Sequence, residues 1–155
     1  RPSMDAFRKP VPLLALMMLL GVSYYFLLIQ MYGWSWVWSP QPEWWREFID
    51  RRRVRAILWL QLCHTLGVIL VALPVATVVV CVVPARRVLV GTAIGFAAAL
   101  ALIVPDLWFS PARGVALVGL RNPIVLFDYA KQMLAVPGLV WLLLRLAARN
   151  PRRGK

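Results

Sequence analysis

Four long apolar blocks, Val11–Met31, Ala56–Val83, Val88–Phe109 and Ile124–Leu146, fill most of this chain, and clusters of Pro, Gly and Arg separate them. Each has the roughly 17–25 residues that a helix needs to cross a hydrocarbon core about 30 Å thick. Inside such a core every backbone N–H and C=O must be satisfied within the segment, and a helix does that. The 61% of hydrophobic residues fits this reading, because soluble domains use about 45–50%. No stretch is left over to build a water-soluble core. The expected fold is therefore all-α integral membrane, an antiparallel four-transmembrane-helix bundle forming one domain over residues 1–155, with spans about 11–31, 56–83, 88–109 and 124–146. The first block exceeds a signal-peptide core and no small-x-small cleavage pattern follows it, so it is expected to be retained.

The first loop has a different composition. The stretch from Pro42 to Arg55 sets Trp44, Trp45, Phe48 and Ile49 at helical spacing, with Glu43/Arg46, Glu47/Arg51 and Asp50/Arg53 at i,i+3 or i,i+4 distances. This pattern predicts an amphipathic helix over about 42–55, lying at the membrane interface and running into the second span. Trp34, Trp36, Trp38, Trp44 and Trp45 mark the same rim as an aromatic belt would. Trp44, Trp45, Arg51, Arg52 and Arg53 are accordingly the candidate contacts for lipid headgroups or a partner.

The net charge of +12 first suggests nucleic acid, but the basic residues sit beside the spans, where they anchor helices to headgroups. The expected partners are membrane lipids of anionic type, and either a second copy of the chain or another membrane protein; no nucleic acid is expected. Four crossings leave ten Lys and Arg on the side of the termini and seven on the other. The positive-inside rule then puts both termini in the cytoplasm, in a bacterial inner membrane on this reading.

In the third block, Gly91, Gly95 and Ala99 recur every four residues, a small-residue stripe along which another helix can approach closely. The spacing leaves open whether that neighbour belongs to the same chain.

Spans that alternate in direction bring chemistry-bearing residues to one depth. Gln30 falls at the end of the first span, Gln61 and His64 near the start of the second, Asp106 near the end of the third, and Asp128, Lys131 and Gln132 near the start of the fourth. They form an expected polar layer toward the first and third loops. A charge at a helix centre costs about 2.5–3.5 kcal/mol on the insertion scale, so Asp128 and Lys131, one turn apart, are expected to pair with each other. His64 or Asp106 would stand behind them.

Several chemistries fail on inventory. One histidine cannot supply paired axial ligands to a haem, nor complete a zinc site with two cysteines in one helix. Cys63 and Cys81, 18 positions apart on one helix, are roughly 27 Å from each other and cannot bridge. No phosphate-cradling glycine loop and no marked nucleophile is present, so no metal, cofactor or catalytic residue is assigned. The expected function is that of a small non-catalytic membrane component, an accessory subunit or oligomer-forming protein acting by helix packing and partner binding. A proton- or ion-coupled transport element using the polar layer is the rival from a different class. A small membrane-embedded enzyme acting on a lipid or other hydrophobic substrate is the third.

Overall fold

The computed structural model describes residues 9–38, 53–109 and 123–149, with side chains for 9–31, 61–104, 123 and 126–149. All four described elements are helices: α1 (Pro10–Trp38), α2 (Arg53–Val82), α3 (Arg87–Phe109) and α4 (Pro123–Arg149). Within them Pro10–Met31, Gln61–Val82, Arg87–Val104 and Leu126–Arg149 are each long and apolar enough to cross a membrane. The expected interfacial helix over 42–55 falls largely outside the described residues, as do Trp44, Trp45, Arg51 and Arg52; Arg53 opens α2.

Local chemistry explains the helix ends. Pro10 and Pro123 stand at first helical positions, where the missing N–H has no partner to lose. α1 runs to Trp38, through Gly33 and beyond the apolar block that ends at Met31, because no proline intervenes before Ser39-Pro40, and the residue ahead of a proline is biased away from helix. α2 stops just before Val83-Pro84. The reversal into α3 is then closed by Arg86 in the left-handed region at φ 54°. The Arg87 side chain donates through Nε to the Val83 carbonyl at 2.6 Å, satisfying an acceptor that the helix end leaves open. The Val90 amide bonds back to the Arg86 carbonyl at 3.0 Å and starts α3.

The helices pack around one core of apolar side chains, including Tyr24 and Leu28 of α1, Val68, Val75 and Val79 of α2, Ile94 and Ala98 of α3, and Val136 and Val140 of α4. α4 makes its widest contact with α3 and the next widest with α2; α1 lies on α3 and α2, while α2 and α3 touch little. Around the core the order is thus α1, α2, α4, α3. Long apolar side chains such as Leu14, Met18, Phe26, Leu70 and Leu134 remain on the outside.

The small-residue stripe of α3 faces α4 of the same chain. A Cβ placed on Gly91 would meet the Pro137 Cα at 3.3 Å, and one placed on Gly95 would collide with the Met133 carbonyl oxygen. Residue numbers fall along α4 as they rise along α3. Ala99, one turn further on, is buried. Pro137 explains why this seam is so tight. It has no N–H to give the Met133 carbonyl one helical step back, so that acceptor turns outward, and a Gly95 Cα–H lies where a side chain would otherwise stand.

Candidate functional site

Four of the polar-layer residues meet at the seam between α2 and α4. On α2, Gln61 and His64 are one turn apart; on α4, Asp128 and Lys131 are too, and the two pairs face each other. The Lys131 ammonium is the hub. It lies 2.7 Å from Asp128 Oδ1, 2.6 Å from Gln61 Oε1 and 3.0 Å from His64 Nδ1. An ammonium has three N–H donors; two oxygen acceptors and one imidazole nitrogen lie around it. The Phe127 ring, one turn back on α4, lies 4.9 Å from Nζ and adds a cation–π contact.

The other members also contact one another. Gln61 accepts from Lys131 through Oε1 and turns its Nε2 toward Asp128 Oδ2 at 3.5 Å, so its amide spans the ion pair. The Gln61 carbonyl accepts from the Thr65 hydroxyl at 2.6 Å. His64 Nδ1 also lies 3.2 Å from Asp128 Oδ1. Nδ1 thus lies between the Lys131 ammonium and the Asp128 carboxylate, and the ring tautomer decides whether it accepts from the first or donates to the second. The Lys131 side chain is only 9% exposed and the Asp128 side chain 25%, so the positive centre is enclosed while the carboxylate keeps some outside contact.

Gln132 takes a different part. It is fully buried among apolar neighbours, and its backbone carbonyl accepts a hydrogen bond from the Tyr24 hydroxyl at 2.9 Å, across the core from α1. Tyr24 was not among the sequence candidates. The signal for it was available, since a tyrosine in the middle of an apolar helix must find a partner for its O–H. Gln30 is exposed on α1. Asp106 lies in α3, and its side chain falls outside the described ones. Among the described residues no group of three His, Cys, Asp or Glu side chains could hold a metal ion.

Chemically, the arrangement sets one carboxylate against one ammonium and places the Gln61 amide and the His64 ring beside the pair. The core on its inward side is apolar: Val68, Ala72, Val75, Ala76 and Val79 on α2, and Val136 and Val140 on α4. Among the described residues the buried polar groups on that side are Gln132 and the Tyr24 hydroxyl. Comparison with protein-family models, curated proteins and solved structures finds no match to the chain.

Proposed function

We propose that this chain is a non-catalytic integral membrane protein, an antiparallel bundle of four spanning helices whose polar cluster is a clasp and whose work is done by its outer surfaces on lipids and on other membrane proteins. The carrying observation is the set of contacts around Lys131. Asp128 and Gln61 oxygens lie within 2.7 Å of the ammonium and His64 Nδ1 at 3.0 Å, and the buried side chains of α2 beyond the cluster, Val68 to Val79, are apolar, so the cluster resembles a lock on helix register more than a station on a path. Two further features support the reading. Large apolar side chains outside the core would face lipid, and the α3 stripe, occupied by α4, gives no reason to invoke a catalytic cleft. An accessory or assembly role suits such a molecule, with partners recruited through faces other than the stripe.

The transport reading depends on the same cluster and predicts a different behaviour. Purified protein reconstituted in liposomes should give no proton or cation flux above empty vesicles, and Asp128→Asn should change nothing in that assay. Flux that Asp128→Asn abolishes would replace the clasp reading with the transport one. The four-span arrangement has its own check. Cysteines introduced at Pro84 and Lys155 should react from one side of the membrane and one at Gly114 from the other; labelling of Pro84 and Gly114 positions from the same side would overturn it.

A further inference from the structure

The end of the molecule away from the clasp carries arginines that no acid among the described residues matches. In the α3/α4 register, Gly91 lies against Pro137 and Gly95 against Met133, so Arg87, one turn before Gly91, is level with Trp141, and Arg145 lies one turn beyond. Arg86 precedes Arg87, and Arg149 follows Arg145 by one turn on the same face of α4. Among the described residues the only acidic ones, Asp106 and Asp128, are near the opposite ends of α3 and α4. Two of the guanidinium groups are already held. Arg87 is fixed through Nε by the Val83 carbonyl, and Arg145 lies over the Trp141 ring with its guanidinium carbon 4.6 Å from the ring centre. Each anchorage uses one edge or one face of the fork and leaves the terminal N–H donors for another acceptor. Trp141 is half exposed, and Val88 and Leu142 beside it are exposed and apolar. Charge above and apolar surface below is the profile of a phospholipid seen from the protein.

The geometry points to a binding site for an anionic glycerophospholipid at the α2–α3 reversal and the C-terminal turns of α4. Arg87 and Arg145 grip the phosphate, Arg86 and Arg149 supply further positive potential, and the acyl chain lies along Trp141 and Val88. A zwitterionic headgroup would bring a second cation to an end where no described residue carries a carboxylate. The proposal rests on the four-span reading, because only a bilayer sets a phosphate at this level. It goes beyond general anchoring by assigning a preorganised fork pair that distinguishes one lipid class from another.

The test uses the full chain purified in a neutral detergent, with native mass spectrometry of bound phosphatidylglycerol against phosphatidylcholine. Wild type should retain phosphatidylglycerol preferentially. Arg87→Gln with Arg145→Gln should lower that retention roughly twenty- to thirtyfold, as expected from two basic contacts of about 1 kcal/mol each. Arg145→Gln alone, which leaves the Val83 cap intact, guards against a folding defect and should lower it roughly fivefold. Arg145→Lys should recover only part of the loss, since it keeps charge but not the planar fork. Unchanged retention in the double variant, equal retention of the two lipids by wild type, or displacement of the lipid by excess inorganic phosphate would each overturn the proposal. Release of the chain from native membranes by alkaline carbonate would instead sink the four-span reading on which it stands.

Discussion

α4 is held on two sides by opposite means. Toward α3, the contact is made by what is missing: Gly91 and Gly95 present no side chain, Pro137 presents no N–H, and backbone meets backbone. Toward α2, the contact is made by polar side chains gathered around Lys131. The first seam tolerates almost no added volume but is indifferent to charge. The second tolerates volume more easily but not an unmatched charge. Two neighbouring interfaces of one helix should therefore respond to different kinds of substitution.

The largest effect is expected at the glycine seam. Gly95→Leu drives a side chain into the Met133 carbonyl and should destabilise the protein in detergent unfolding by about 3 kcal/mol or prevent folding. Phe96→Leu, on an exposed position next to it, should stay within about 0.5 kcal/mol. Equal losses from the two would erase the asymmetry between seam and surface. Next comes the clasp. Asp128→Asn leaves an enclosed ammonium without its anion and should cost about 2 kcal/mol, with Lys131→Met somewhat less because the carboxylate it strands is better exposed. The double variant should recover part of the loss, with coupling on the order of 1 kcal/mol. Strictly additive losses would mean the charges do not support each other.

Two smaller effects sharpen the contrast. Tyr24→Phe removes the hydroxyl that bonds the Gln132 carbonyl and should cost about 1 kcal/mol, by the same unfolding measurement. Gly138→Ala is the smallest and of opposite sign. A Cβ there meets nothing within 4 Å, so the substitution should be neutral or stabilise by a few tenths of a kcal/mol through lower chain entropy. A marked loss at Gly138 would show that α4 resists substitution for reasons other than contact at its seams.

How far this could be read from residues alone differs between the seams. The four helices follow from block length and apolarity, and the stripe of α3 from three positions at a fixed interval. Both are local signals. The identity of the neighbour is not local, because nothing in Gly91 or Gly95 says that Pro137 will be opposite; that depends on the order of the helices around the core. The clasp was partly legible for another reason. Helices that alternate in direction bring the start of the second block to the depth of the start of the fourth, so His64 and Lys131 could be placed at one level before any contact was known. What the level could not supply was rotation about the helix axis. Gln132, beside Lys131 in sequence, turns into the apolar core and lends its backbone carbonyl to Tyr24, a partner from a helix with no charged candidate at all.

The i,i+3 spacing of Asp128 and Lys131 has a consequence for biogenesis. On the four-span reading α4 partitions into lipid before it docks against α2 and α3. Had the anion for Lys131 been placed on α2, α4 would face the translocon with a bare ammonium in its hydrophobic stretch. With Asp128 one turn away on the same helix, the segment presents a nearly neutral ion pair and can insert as an independent unit. Gln61 and His64 then join an already matched charge, so they contribute to which helix α4 docks against and not to whether it enters the bilayer.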